Sequence, residues 1–100
     1  MKLHELKLLD IYAMEKLKGI KPFEIRCNDR DFKVGDLVTY NVVETYTEPI
    51  EPYRTITRES RDIILVGYFK DRLFKITYIT NYNQKDNFVV FADKEIKDER

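Results

Sequence analysis

Charged and apolar side chains alternate along the stretch Lys21-Pro-Phe-Glu-Ile-Arg-Cys-Asn-Asp-Arg-Asp-Phe-Lys33. Pro22 predicts the start of a strand, in which every second side chain lies on the same side. Phe23, Ile25 and Cys27 share one side of that strand. With this apolar side inward, the opposite side would offer Glu24 and Arg26 to solvent. The stretch therefore predicts a strand that forms the floor of a polar ligand cleft, with Cys27 as a buried, unreactive thiol.

The length and composition predict one small folded domain. The chain has 100 residues, of which 43% are apolar and 36% are charged, and the formal net charge is zero. A disordered chain would combine low hydrophobicity with high net charge, which this chain does not. Zero net charge removes the simplest argument for nucleic-acid binding, a large positive field, but leaves a local basic patch open.

The single cysteine excludes an intramolecular disulfide and favours a reducing compartment. No apolar run approaches the roughly 20 residues that cross a bilayer. Charges occupy the N-terminus where a secretory signal would need an apolar block. We therefore expect a cytoplasmic protein without a membrane partner.

One helix is predicted near the N-terminus, after a strand over residues 3–8. Apolar residues of the segment 9–18 recur at the spacing of one helix face. Gly19 follows this segment, and glycine commonly ends a helix because it adopts positive φ without strain. The helix is therefore predicted to span about residues 9–18.

The rest of the chain is predicted to be mostly strands. Four apolar segments are read as strands, at about 37–45, 61–69, 73–80 and 87–92. Pro49 and Pro52 make residues 46–60 a loop or a ragged hairpin. We predict an α+β fold, mainly β: a small, closed or nearly closed β-barrel of five or six strands with one N-terminal α-helix. The domain is predicted to span residues 1–92, with 93–100 as a charged, solvated tail.

The N-terminal third resembles a known family. Gly19, Lys21, Glu24 and Arg26 match the four fixed positions of the signature G-x-K-x-x-E-x-R. The segments His4-Glu-Leu-Lys-Leu8 and Asn28-Asp-Arg-Asp-Phe-Lys-Val-Gly-Asp36 flank that signature. Together they resemble the ASCH (activating signal cointegrator homology) domain of the PUA-like superfamily of small β-barrels. The similarity is to its branch of short, uncharacterised bacterial and phage proteins.

The resemblance implies a cleft between helix and sheet that is lined by the signature, and RNA or a nucleotide as the ligand. One similar bacterial subgroup hydrolyses the amide of N4-acetylcytidine with a lysine at the position of Lys21. This chain has Glu24 where that subgroup has a threonine, and it lacks the segment that bears a further glutamate. The resemblance thus favours a binding module, with an amidohydrolase that uses Lys21 and Glu24 as the alternative.

The predicted ligand-binding residues are Lys21, Glu24, Arg26, Arg30, Lys33, His4 and Tyr82. Arginine offers a fixed fork of donors to phosphate, and tyrosine can stack on unpaired bases. A structural alternative stays open for several of them. Lys21 and Glu24 could form an ion pair at the helix–strand junction, and Arg30 could pair on a solvated edge. His4 and Lys7 are expected on opposite faces of the first strand, because three positions separate them.

No metal or cofactor is predicted, because one histidine and one cysteine are too few for a zinc site. A third hypothesis is a phage-type protein that contacts a host protein through residues 46–60. The sequence leaves the ligand's identity and the oligomeric state open.

Overall fold

A computed structural model describes residues 1–97 as one curved sheet with two helices. The elements, in chain order, are β1 (Leu3–Leu9), α1 (Asp10–Leu17), β2 (Phe23–Cys27), β3 (Leu37–Thr47), β4 (Thr55–Glu59), α2 (Ile63–Lys70), β5 (Leu73–Thr80) and β6 (Phe88–Ile96). This confirms an α+β fold that is mainly β. No helix in residues 1–97 has the length and apolar character needed to cross a membrane.

The predicted barrel was closed or nearly closed, but the six strands form an open sheet, so full closure is wrong. The strand order is β1-β3-β5-β6-β2, and β4 pairs with β3 outside this path. Strands β1 and β2 are the two ends of the sheet, yet both line one cleft. The sheet therefore curls, so that β1 and β2 face each other. A closed barrel would have hydrogen bonds between these two strands, but here a cleft separates them.

The predicted strand–helix unit at the N-terminus is confirmed. Buried and exposed residues alternate along β1, as expected for a strand with one face on the core. Helix α1 ends where the sequence indicates, because Gly19 has φ +74°. The Gly19 amide donates to Lys16 O and the Ile20 amide to Glu15 O, which is the bonding pattern of a Schellman motif.

Residues 46–60 form a hairpin. Strands β3 and β4 pair antiparallel from Val43 opposite Glu59 to Thr47 opposite Thr55. Both prolines of this segment lie in the connection and not in a strand. Their position is the one expected, because a proline inside the ladder would remove a hydrogen bond.

The strand predicted over 61–69 is wrong, because this segment forms helix α2. The side chain of Asp62 accepts a hydrogen bond from the Leu65 amide at 3.1 Å and so caps the first turn. Leu65 and Phe69, one turn apart, are the fully buried residues of the helix. The run Ile63-Ile64-Leu65-Val66 is typical of a buried strand, and periodicity cannot distinguish a short apolar helix from such a strand.

Strand β6 continues to Ile96, so residues 93–96 belong to the sheet and not to the predicted tail. Asp93 is the clearest case, because its side chain is almost fully buried. The last residues of the predicted tail, 98–100, lie outside the described residues.

The core lies between the concave face of the sheet and the two helices. The sheet and α1 contribute Leu6, Leu8, Ala13, Val38, Tyr40, Val42, Phe74, Ile76, Val89 and Phe91, and α2 and the β2–β3 connection contribute Leu65, Phe69 and Phe32. Phe32 contacts both the His4 ring on β1 and the Phe91 ring on β6, at centroid distances of 4.8 and 5.1 Å. This ring therefore packs between β1, at one end of the sheet, and β6, which lies next to the other end strand β2.

Candidate functional site

The cleft between the two ends of the sheet has a volume of about 210 Å³. Its walls are Lys7, Leu8 and Leu9 from β1, Tyr12 from α1, and Lys21, Glu24, Ile25 and Arg26 from β2 and the residues before it. The structure thus brings together the three polar residues of the predicted signature. It adds Lys7, which the sequence analysis did not assign to the site.

Lys21 is held by aromatic rings. Its ammonium lies 4.1 Å from the ring centroid of Tyr12 and 5.9 Å from that of Phe23. Among residues 1–97, no carboxylate forms a salt bridge with Lys21. The ion pair with Glu24, which the sequence left open, is therefore absent from the described part of the chain, and the positive charge of Lys21 faces the cleft.

Glu24 points into the protein, so its predicted outward orientation is wrong. The residue is only 2% exposed, whereas Phe23, Ile25 and Cys27 are on the solvent side of β2. Cys27 is thus an exposed thiol and not the expected buried one. Alternation correctly identified which residues of β2 share a side, but it assigned the wrong side to the core.

A buried charge cluster explains how Glu24 is tolerated inside. Its Oε1 accepts from the Arg26 guanidinium at 3.0 Å, and its Oε2 lies 3.4 Å from the Lys16 ammonium. Lys16 also contacts Asp93 Oδ1 at 2.8 Å. A buried carboxylate is costly unless it is paired and hydrogen-bonded. In this cluster two cations balance two anions.

Tyr40 completes the cluster from β3. Its hydroxyl donates a hydrogen bond to Asp93 Oδ2, and the Lys16 ammonium lies 5.0 Å from its ring centroid. Burial raises the pKa of Tyr40, and the negative charges of Asp93 and Glu24 raise it further. The phenol therefore stays protonated and acts as a hydrogen-bond donor.

A second hollow of about 470 Å³ adjoins the cleft and shares Lys7 and Arg26 with it. Arg30, a predicted ligand residue, lines this hollow together with Cys27. The hollow is mixed in charge, because Glu5 and Asp29 also line it. Its cations are Lys7, Arg26 and Arg30.

Three predicted ligand residues lie away from the cleft. His4 is buried, and its Nε2 is 2.8 Å from Asp36 Oδ2. Lys33 is exposed and lies 3.6 Å from Asp31. Tyr82 is exposed in the turn between β5 and β6. The structure therefore does not bring these three side chains together with Lys21, Glu24 and Arg26.

The pair of His4 and Asp36 is a structural clamp. Asp36 Oδ1 accepts from the Lys2 amide and Oδ2 from the Lys33 amide, each at 3.1 Å. Burial raises the pKa of Asp36, but the hydrogen bonds from His4, Lys2 and Lys33 outweigh this effect, so the pKa falls below its usual 3.8. The clamp joins the start of β1 to the turn before β3.

Sequence reasoning missed Lys7, Lys16, Tyr40 and Asp93. For Lys7 a signal existed, since alternation along β1 places it opposite His4, toward solvent. For the other three no local signal existed, because Lys16 reads as an ordinary helix-end cation and Asp93 as part of a tail. Within residues 1–97, no group of three His, Cys, Asp or Glu side chains is arranged to hold a metal ion.

Comparison with family models places the chain in a family. Residues 3–92 match the model of the family described as "Domain of unknown function (DUF3850)", and the protein therefore belongs to this family. The match spans all the strands and both helices, apart from the last residues of β6. No curated protein matches the chain.

Proposed function

We propose that this protein is an RNA- or nucleotide-binding module that holds a phosphate group in the cleft between β1 and β2. The single observation that carries the proposal is the convergence of Lys7, Lys21 and Arg26 on that cleft. Among residues 1–97, Glu24 is the one carboxylate that lines the cleft. Lys16 and Arg26 balance Glu24 and Asp93 in the buried cluster, so the charges of Lys7 and Lys21 are left over. The cleft is thus locally cationic in a chain whose formal net charge is zero.

The cations that line the cleft fit a phosphate group. Arg26 has a planar fork of donors, of which NH2 binds Glu24. Lys7, on β1, adds a compact charge from the opposite wall of the cleft. Lys21 adds another from the residues just before β2. Arg30 lines the adjoining hollow, where a second phosphate or a sugar of the same ligand would extend. Phosphate contacts of this kind position a nucleic acid without reading its sequence.

The resemblance to the ASCH domain belongs to the same proposal. A curled sheet with Lys21, Glu24 and Arg26 at its open seam agrees with the cleft that the resemblance implies. In this account the fold is a PUA-like barrel left open at one seam, and that opening is the ligand site.

The hydrolase alternative has less support. In that mechanism Glu24 would relay a proton to or from Lys21. Both carboxylate oxygens of Glu24 are instead engaged by Arg26 and Lys16, and the Lys21 ammonium lies over Tyr12. The host-protein alternative is addressed by the same experiment, since it predicts no binding of small ligands or RNA in the cleft.

Fluorescence anisotropy with a labelled single-stranded RNA, with unlabelled nucleotides as competitors, tests the proposal. We expect Lys21→Ala and Lys7→Ala each to weaken binding by about 1–3 kcal/mol, and affinity to fall as salt rises. Lys75→Ala is the matched control, because Lys75 is an exposed lysine on β5 outside the cleft. Lys33→Ala should also leave the affinity unchanged, since Lys33 lies away from the cleft.

Two outcomes would reject the proposal: no binding of RNA or nucleotide at low salt, or equal affinities for wild type and Lys21→Ala. Incubation with N4-acetylcytidine, followed by chromatography, separates the hydrolase alternative. Release of cytidine by wild type and not by Lys21→Ala would favour the hydrolase over a pure binding module.

A further inference from the structure

Strand β3 has a gap in its pairing next to helix α2. Strand β5 pairs with β3 only at Leu37 and Val38, and strand β4 pairs with it only from Val43 onward. Helix α2 connects β4 to β5 and packs against β3, so it keeps the two strands apart. Within residues 1–97, residues 39–42 of β3 therefore have β1 on one edge and no strand on the other. We call this stretch the β3 gap.

The backbone of Tyr40 points into the β3 gap. Successive residues of a strand direct their backbone groups to opposite edges. The Ile76 amide donates to Asp36 O, and the Ser60 amide donates to Val42 O, so these two residues of the β3 segment bond on the side away from β1. Tyr40 is an even number of positions from both. Its N–H and C=O, like the N–H of Val42, therefore point to the same edge.

These three backbone groups are unpaired in the described part of the chain. Within residues 1–97, no hydrogen bond reaches the N–H or C=O of Tyr40 or the N–H of Val42. The Arg72 amide would lie opposite Tyr40 if the pairing with β5 continued, but it donates to Phe69 O at the end of α2. Tyr40 is only 1% exposed and Val42 3% exposed. Buried backbone groups are nearly always paired, because an unpaired one is costly, so the gap suits a ligand that offers both a donor and an acceptor.

A hollow of about 300 Å³ lies at the β3 gap. Apolar side chains from β3 and α2 and a few charged ones line it, among them Val42, Val43, Val66, Lys7, Lys70 and Glu59. Two cations and one carboxylate give this hollow a net positive charge. Mostly apolar walls with a few convergent polar groups are typical of small-molecule sites.

The hollow at the β3 gap joins the proposed phosphate site. Lys7 lines this hollow, the cleft between β1 and β2, and the adjoining hollow. Asn41 lines both the hollow at the gap and the adjoining hollow. One ligand can therefore place an anionic group beside Lys7 and another part of itself in the gap.

We propose that the β3 gap binds the base of a nucleotide whose phosphate lies in the cleft, an inference that rests on the proposed function. The Tyr40 C=O accepts a hydrogen bond from an amino group of the base, and the Val42 N–H donates one to a neighbouring ring nitrogen. Adenine carries such a pair, since its N6 amino donor lies next to its N7 acceptor. Val43 and Val66 supply apolar surface for the ring.

The size of the gap favours a base over an added peptide strand. Strands β4 and β5 limit the free edge to residues 39–42 of β3. A strand usually has about five or six residues, which is longer than this edge. A base needs only the neighbouring groups of Tyr40 and Val42.

Isothermal titration calorimetry with adenosine 5′-monophosphate (AMP), ribose 5-phosphate and adenosine tests the proposal. Ribose 5-phosphate has no base, and adenosine has no phosphate. We expect AMP to bind at least about tenfold more tightly than ribose 5-phosphate, because only AMP offers hydrogen bonds to the gap. Equal affinities of these two would overturn the base site and leave the phosphate site standing.

The other outcomes separate this inference from the proposed function. Binding of adenosine and AMP with equal affinity, and none of ribose 5-phosphate, would support the base site in the gap and reject the phosphate site. No binding of AMP or adenosine at about 10 mM overturns the base site, and the titration with RNA then decides the phosphate site by itself.

Val66→Phe locates the base, because a larger side chain at this position of α2 fills the hollow. AMP should then bind no more tightly than ribose 5-phosphate, whose own affinity should not change. Ile64→Phe is the matched control, since Ile64 lies on the same helix, is 76% exposed and is outside the lining of the hollow. Loss of AMP binding in the control as well, or in neither variant, would contradict the location.

Amide hydrogen exchange, measured by NMR, gives a readout on the wild-type protein that does not depend on whether Val66→Phe folds. Saturating AMP should slow exchange of the Val42 amide about tenfold, because the amide gains an acceptor. Saturating ribose 5-phosphate should leave it unchanged. Exchange at Val42 that stays the same with AMP bound would overturn the assignment of the base to the gap.

Discussion

Two ion clusters in this protein use the same chemistry in different surroundings. The cluster of Lys16, Glu24 and Asp93 lies under α1, where the Lys16 side chain is 5% exposed. The cluster of Glu44, Arg58 and Arg61 joins the hairpin to the start of α2, where the Arg61 side chain is 79% exposed. The distances are similar, at 2.8–3.4 Å in the first and 3.0–3.1 Å in the second.

The difference teaches that burial, and not geometry, decides what an ion pair does. Removing one partner from a buried cluster leaves a charge that water cannot reach, which is strongly destabilising. Removing one partner from an exposed cluster leaves a charge that water solvates, and such pairs contribute little. The buried cluster therefore fixes the side of β2 that faces inward, while the exposed cluster only tethers two surface segments.

The largest effect is expected from Lys16→Met. This change removes the cation between Glu24 and Asp93 and leaves two buried carboxylates with Arg26 alone. We expect the free energy of unfolding to fall by about 3–5 kcal/mol in urea denaturation. Lys18→Met is the matched control, because Lys18 is exposed two positions away. It should change stability by less than about 0.5 kcal/mol. Equal effects of the two changes would contradict the role given to the buried cluster.

An intermediate effect is expected from Asp36→Asn, which tests the buried pair with His4. The amide cannot accept all three hydrogen bonds that the carboxylate accepts. We therefore expect a loss of about 1–3 kcal/mol at neutral pH.

The effect of Asp36→Asn should also depend on pH. Because folding lowers the pKa of Asp36, its charged form contributes stability that is fully present above the unfolded value of 3.8. This contribution is lost as the pH falls through the lower folded value. The difference between wild type and Asp36→Asn in urea midpoint should thus shrink only in that acidic range. A difference that already disappears near neutral pH would contradict the assignment to Asp36.

The smallest effect is expected from Glu44→Gln in the exposed cluster. The Arg61 amide donates to Glu44 Oε1 at 2.7 Å, and this bond, with the two arginine side chains, lowers the pKa of Glu44. Glutamine keeps an acceptor for that amide, but its NH2 group replaces Oε2 and cannot accept the hydrogen bonds from the Arg58 and Arg61 side chains. Water can solvate the two arginines that are released, so the net loss stays small. The urea midpoint should move far less than for Asp36→Asn, and about 1 M salt should remove the remaining difference. A shift in the urea midpoint as large as that of Lys16→Met would contradict the conclusion that the exposed cluster contributes less to stability than the buried one.

The position of most strands along the chain could be predicted, because the signals that mark them come from residues that are close in sequence. Strand β1 alternates strictly, α1 ends at a glycine with positive φ, and β3 is a long apolar strand before two prolines. Each of these signals depends on neighbours in sequence. The segment of helix α2 was predicted as a strand because its apolar run is rich in β-branched residues, which favour strands. The one local signal for a helix was Asp62, which caps the first turn.

The candidate site was predicted in part. The signature residues Lys21, Glu24 and Arg26 line the cleft. Arg30, which was predicted apart from the signature, lines the adjoining hollow. His4, Lys33 and Tyr82 do not, because the clamp with Asp36 and the loop geometry direct them elsewhere. Lys7 lines both the cleft and the adjoining hollow. Alternation along β1 predicted that Lys7 faces solvent. It could not show that this side of β1 faces β2 across a cleft.

The sequence by itself determined which side chains of β2 share a side, since a strand has a period of two. Only the tertiary structure decided which side is inward. Lys16 Nζ reaches Asp93 across 77 positions, and this contact, with Glu24 and Arg26, makes a charged side stable inside. The apolar side is then left facing solvent. The alternation of side chains is a property of one strand. The free energy of burying a charge depends on partners from other parts of the chain, which only folding brings together.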